Sequence, residues 1–232
     1  SGDDAIAIGK SALANKVNAI AIGAEAKATK VNATAFGDAT QATACQSTAI
    51  GAGALATEQN ATAVGERSNA SGTQSTSIGR ASIASKSRTT ALGASSKATK
   101  DQATAIGVQA NASANRSIAL GSFANSSGEL SQAIGSNAMA SGEYSAAIGS
   151  YSNATASDSI AIGFLSNATA EDALAVGKSS IANKSNAIAI GTESKATNVN
   201  ATAFGDATQA TGFQSTALGA GALATQQNAT AV

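Results

Sequence analysis

The sequence predicts an all-β fold, a parallel β-roll (β-solenoid) wound from 14-residue coils, and three observations predict it. Glycine recurs at Gly9, Gly23, Gly37, Gly51, Gly65, Gly79, Gly93 and Gly107, and then at Gly121, Gly135, Gly149, Gly163, Gly177, Gly191, Gly205 and Gly219, without insertion or deletion. Two alternating runs, one before and one after each glycine, repeat with it. The positions that alternate inward carry only small residues. A fixed internal period decides the architecture before any single residue does.

The first element of each coil is the run that ends on the glycine. The residue just before glycine is large and apolar in every coil, and the one before that is alanine everywhere except Ser77. Three places before glycine stand Thr34, Thr48, Thr62, Thr76, Thr90 and Thr104 in consecutive coils, and four places before it is always Ala, Ser or Thr. Period-two alternation rich in β-branched residues reads as a short strand. The glycine itself reads as a turn that needs positive φ or close backbone approach. Two variable residues follow, then a second alternating run. Its third place after glycine is small (Ala12, Ala26, Thr40, Ala54), and its fifth is alanine in every complete coil except at Ser126. Two or three polar residues then lead into the next coil. Each coil is therefore strand, turn, strand, turn, with no room for a helix. Stacked coils pair in parallel about 4.8 Å apart, so sixteen of them predict a rod on the order of 80 Å.

The roll is too narrow for more than small side chains, so the alanines point in. Neighbouring residues of a strand point to opposite faces. The outward set is then Ile22, Phe36, Ile50, Val64, Ile78, Leu92, Ile106, Leu120, Ile134, Ile148, Ile162, Val176, Ile190, Phe204 and Leu218. One chain alone would expose an apolar stripe along its length, far beyond what soluble monomers tolerate. These residues are expected to meet other chains; periodicity does not fix how many.

The recurring AIAIG, TAIG and SIAIG pieces at this spacing, with alanine five places on, resemble the head repeats of trimeric autotransporter adhesins, the YadA-like head family. The resemblance covers the whole chain. It implies a left-handed parallel β-roll and a homotrimer of rolls side by side about an axis. It also implies a place on the bacterial cell surface, anchored in the outer membrane through a C-terminal region outside this sequence. The function implied is attachment, as a virulence adhesin, to host matrix, to host cells or to other surfaces.

Composition agrees with a repeat array and excludes several classes. The chain has 232 residues, zero net charge from fourteen basic and fourteen acidic residues, and no His, Pro or Trp. Electrostatic capture of nucleic acid is not expected. No run approaches the length of a membrane span. No signal-peptide pattern opens the chain, which starts and stops in mid-repeat and is expected to be a piece of something longer. Without His there is no Ser-His-Asp or Cys-His arrangement and no His metal site. Cys45 is the single cysteine, so neither a disulfide framework nor a thiolate zinc site is expected. Gly51-Ala-Gly53 lacks the third glycine of a dinucleotide loop. Neither catalysis nor a cofactor is expected.

Residues 10–64 reappear as residues 178–232, identical at forty-five of fifty-five positions, with Cys45 matched to Phe213. We read the chain as a single array, 1–232, with this internal duplication. Between the copies, Ser117 to Gly177 holds no Lys or Arg but five acids: Glu129, Glu143, Asp158, Glu171 and Asp172. The same stretch carries both tyrosines and several large apolar residues at turn or outward positions. Phe123, Tyr144, Tyr151, Phe164 and Leu165 are its candidate adhesive band, since exposed aromatics on a rigid scaffold anchor recognition. Two other functions compete with adhesion. A passive spacer of the same fibre needs no such band. An ice-binding solenoid would use the threonine ladder, but that face also carries the large apolar residues that chain association requires.

Overall fold

A computed structural model describes residues 2–232. The chain divides into two compact units, Ser1–Arg116 and Ser117–Val232, both parallel β-solenoids without helix among the described residues. The first unit alternates three-residue strands, from Ile6–Ile8 to Thr104–Ile106, with two-residue strands, from Leu13–Ala14 to Asn111–Ala112. The second runs likewise from Ile118–Leu120 and Asn125–Ser126 to Leu223–Ala224, and closes on Thr230–Ala231.

Register follows the sequence period. Each strand pairs in parallel with its equivalent one coil away, so Thr34 lies beside Thr48 and Ala35 beside Ala49. In the second unit Ala175 lies beside Ala189 and Val176 beside Ile190. Three-residue strands build one sheet of each unit and two-residue strands the other.

The interior is alanine with serine and threonine. Ala19, Ala21, Ala26 and Ala28 of one coil are wholly buried, as are Ala187, Ala189 and Ala196 of another. Ser and Thr enter this core because their hydroxyls find carbonyls. Ser68 Oγ donates to Gly65 O at 2.9 Å, Ser159 Oγ to Ala156 O at 2.6 Å and Thr89 Oγ1 to Lys86 O at 2.7 Å. The two breaks in the alanine pattern come with partners: Ser77 meets Ser82 at 2.7 Å and Ser126 meets Ser131 at 2.6 Å. A buried hydroxyl without such a bond would be costly.

Two turns close each coil. The first runs from the repeat glycine to the residue three places on, whose N–H bonds back to the glycine carbonyl, as from Ala26 to Gly23 at 3.3 Å. The second precedes the next three-residue strand, as from Ala33 N to Lys30 O at 3.2 Å. In both, the third residue has positive φ, between about 50° and 60° wherever it is not glycine, as at Glu25 (57°) and Asn32 (56°). A positive φ at that place is the mark of a type II turn and favours Gly or Asn. The requirement thus recurs every seven residues, twice per coil. The repeat glycine is under a stricter constraint. Gly65 has φ 126°, and a Cβ on it would lie 2.7 Å from Gly79 O of the next coil. Gly163, with φ 129°, would meet Gly177 O at 2.6 Å. Both the dihedral and the stacking exclude a side chain.

Candidate functional site

The outward face of the three-residue strands is apolar in both units. Its residue before glycine is partly uncovered in the single chain, from part-buried at Ile22, Val64 and Ile106 to 52% exposed at Phe36 and 54% at Phe204, against zero for the alanine beside each. The fifteen residues from Ile22 to Leu218 that sequence reasoning assigned to chain association all point away from the roll interior; nothing in the single chain covers them fully.

The candidate band lies in the second unit, and the structure divides it between the two turns. Phe123, Tyr151 and Leu165 each occupy the third position of a first turn, with φ 59°, 57° and 56°, and Phe164 precedes Leu165 in the same turn. Ladder bonds hold these turns in line: Tyr151 N donates to Ser136 O at 2.9 Å and Leu165 N to Ser150 O at 3.1 Å. The Tyr151 and Phe164 rings meet edge-on, centroids 6.3 Å apart at 90°, a favoured aromatic geometry. All four side chains are 46–54% exposed. Between Phe123 and Leu165 these turns carry no charged residue, only Ser122, Ser136, Asn137 and Ser150 beside the large ones.

Tyr144 stands apart. It occupies the third position of a second turn, φ 57°, with its N–H on Glu129 O at 2.9 Å. All five acids of this stretch lie in second turns as well: Glu129 and Leu130, Glu143 and Tyr144, Asp158, then Glu171 and Asp172. What reads along the chain as one acidic, aromatic band is in space an uncharged aromatic edge and an acidic edge. The signal for this division was present in the sequence. It is the position of each residue within its own half-coil, which separates Tyr144 from Tyr151 although they are seven residues apart.

The positive φ makes the large residues conspicuous. Elsewhere that position is filled by Asn, Gln, Ser, Asp, Glu, Arg, Ala or Gly. Bulky side chains with φ near +57° are outliers, and such strain collects where function holds it. The sequence also repeats Asn-x-Ser/Thr, the pattern of a glycosylation acceptor, and the coil gives it a plainer origin. In Asn60-Ala-Thr62, Asn60 fills a positive-φ turn position, Ala61 a buried one and Thr62 the start of a strand.

No group of three or more His, Cys, Asp or Glu side chains is placed to hold a metal ion among the described residues. Cys45 is exposed at a second turn. A polar groove of about 440 Å³ opens on the outer two-residue-strand face of the first unit, beside Ser95, Lys97, Gln109 and Asn111. The interior is filled by small side chains, so the recess is a surface furrow between outward residues.

Comparison with known proteins places these coils. The family model "YadA head domain repeat (2 copies)" matches residues 1–26, 28–54, 56–82, 70–96, 84–109, 98–124, 126–152, 154–180, 182–208 and 210–232. No curated protein matches the chain. Among solved structures, the crystal structure of the collagen-binding domain of Yersinia adhesin YadA is similar at 26% identity and a TM-score of 0.35. The match covers 71% of this chain and 83% of that one. With the glycine period, the alanine interior and the family model in agreement over almost every coil, the chain belongs to the YadA head-repeat family of adhesins.

Proposed function

We propose that this chain is the head of a trimeric adhesin carried on a bacterial surface, and that it attaches through the uncharged edge formed by Phe123, Tyr151, Phe164 and Leu165. The observation that carries the reading is the placement of Phe123, Tyr151 and Leu165, half exposed, at turn positions whose backbone disfavours large side chains, with Phe164 exposed beside Leu165. Aromatic rings offer large contact area at little rotamer cost, and Ser and Asn beside them supply adaptable hydrogen bonds. Three rolls around one axis would present three such edges and add avidity without tighter single contacts. The ligand class is a host matrix or cell-surface protein, and the anchor is a membrane-embedded region outside this sequence.

The backbone also supplies a clean test. Asn is well tolerated at positive φ, so Phe123→Asn, Tyr151→Asn and Leu165→Asn, combined with Phe164→Ser, remove the edge without threatening the turns. Beads bearing the unmodified or the altered chain are measured against immobilised matrix proteins, with collagen, the ligand named for the Yersinia domain, among them, and against plain polystyrene. Attachment should fall by about tenfold or more, with the melting temperature equal or higher. Tyr144→Asn, on the other turn, should leave attachment unchanged. Full attachment by the folded edge variant would remove this edge from the adhesive surface. No attachment by the unmodified chain to any probe would make the array a spacer.

A further inference from the structure

The zero net charge of the chain conceals an uneven distribution. The first unit holds eleven Lys and Arg against seven Asp and Glu. Six of those bases, Arg67, Arg80, Lys86, Arg88, Lys97 and Lys100, fall in one stretch without an acid. Lys97 is also a wall of the polar furrow on the two-residue-strand face, with Ser95, Gln109 and Asn111. Arg80 precedes that furrow by one ladder step, since the Ser95 N–H donates to Arg80 O at 2.9 Å. Two acids bound the stretch. Glu66 lies in a first turn two coils before Ser95. Asp101 lies in a second turn, where its carboxylate accepts the Ser87 N–H at 3.1 Å.

The backbone fixes the furrow walls in place. Ser95 and Gln109 are the third residues of successive first turns, with φ 57° and 55°, and the Gln109 N–H donates to Ala94 O at 2.9 Å. Lys97 and Asn111 open successive two-residue strands and lie side by side in register, with Ile83 on the other flank of Lys97. These two places recur in every coil, yet no other successive coils of the first unit are polar at both places in both coils. The recess of about 440 Å³ is therefore local to Lys97 and its neighbours. It opens on the two-residue strands. Association of rolls through the apolar three-residue strands leaves it uncovered.

The donor set specifies the ligand chemistry. The Lys97 ammonium only donates, whereas the Ser95 hydroxyl and the Gln109 and Asn111 amides both donate and accept. One cation without a carboxylate beside it calls for an anionic group, and the neutral donors and acceptors call for hydroxyls next to that group. The volume lies in the range of small-ligand sites. No aromatic residue stands between Phe36 and Phe123, so there is no ring on which a nucleobase could stack. We infer that this furrow binds an acidic sugar of a glycan, its carboxylate or sulfate on Lys97 and its hydroxyls on Ser95, Gln109 and Asn111. Arg80 and Lys100 attract further negative groups of the same glycan, an effect that salt screens. One furrow holds weakly, and several chains carrying it side by side add avidity. The aromatic edge belongs to the second unit, so the two sites fail or stand separately.

The test titrates the whole chain, in its own oligomeric state, with a heparin oligosaccharide, sialyllactose and lactose at about 50 mM and about 500 mM NaCl. An acidic probe should bind and lactose should not. Preference for heparin identifies an internal sulfated sugar, and preference for sialyllactose a terminal carboxylated one. Lys97→Gln should weaken binding by about tenfold or more. Lys16→Gln removes the same charge from a distant second turn of the same unit and should change binding by less than about twofold. Gln109→Ala should weaken binding without altering its salt dependence, because it removes hydrogen bonds and no charge. Acetylation of the unmodified chain, read by mass spectrometry, needs no variant: bound probe should protect Lys97 and leave Lys16 reactive. Equal losses in the two lysine variants, equal protection of the two lysines, binding of lactose as tight as that of the acidic probes, or no binding of either acidic probe overturns the inference.

Discussion

Ser77 and Ser126 break an otherwise unbroken alanine column, and each is tolerated because a second serine faces it across the roll. Removing one member should therefore cost more than removing both. Ser82→Ala leaves the Ser77 hydroxyl in a wholly buried site without its 2.7 Å partner, a loss of about 1–3 kcal/mol. Ser77→Ala with Ser82→Ala restores an apolar core like that of the other coils and should recover most of the loss in urea unfolding. A double variant no more stable than Ser82→Ala would show that the pair is not what satisfies Ser77. The column was legible in the sequence because the same residue type recurs at a fixed place; the pairing was not. Ser77 lies in the three-residue strand and Ser82 closes the turn after it, and only the narrowness of the roll brings their oxygens together. The positive φ at every seventh residue was hidden for another reason. Gln46, Arg67 and Tyr151 all adopt it, so no single residue type marks it, and only the Asn at some second turns hinted at it.

At the scale of strand and turn, the repeat glycine is where two requirements meet. Gly163→Ala places a methyl group 2.6 Å from Gly177 O on a backbone with φ 129°. Relief needs the next coil to move, so the change should cost more than about 3 kcal/mol or prevent folding. Gly53→Asn is the matched control: φ is 64° and the nearest atom to the added Cβ is the Arg67 Cγ at 3.7 Å, an ordinary contact, so its cost should stay within a few tenths of a kcal/mol. Equal effects of the two substitutions on the denaturation midpoint would mean that stacking of glycine on glycine is not the constraint. Strand identity, register and the inward alanines follow from alternation repeated in every coil. What alternation leaves open is which of the two turns a residue joins, and the candidate band was drawn across both for that reason.

For the molecule as a whole, the unsatisfied feature is the apolar face of the three-residue strands. Closing it against other copies would cover the part still exposed, roughly half or less, of fifteen large side chains per chain; at a fraction of the about 1.5–3 kcal/mol that full burial of each gives, the sum over three chains still exceeds the cost of association. Light scattering should therefore report three times the chain mass of 22.2 kDa. Ile106→Asp with Ile134→Asp should dissociate or unfold the assembly. A stable folded monomer of the unmodified chain would show that this face needs no partner. The coil ladders carry one more consequence, for load. Within each unit every coil bonds only to the coil before and the coil after, as Ala21 does to Ala7 and Ala35, and those bonds point along the stacking direction. Tension in that direction falls on the outermost ladder first. Each coil that peels away exchanges a rise of about 4.8 Å for about 46–50 Å of slack chain. A tether made of such coils would yield under shear flow by paying out line one turn at a time, sparing the contact at its tip.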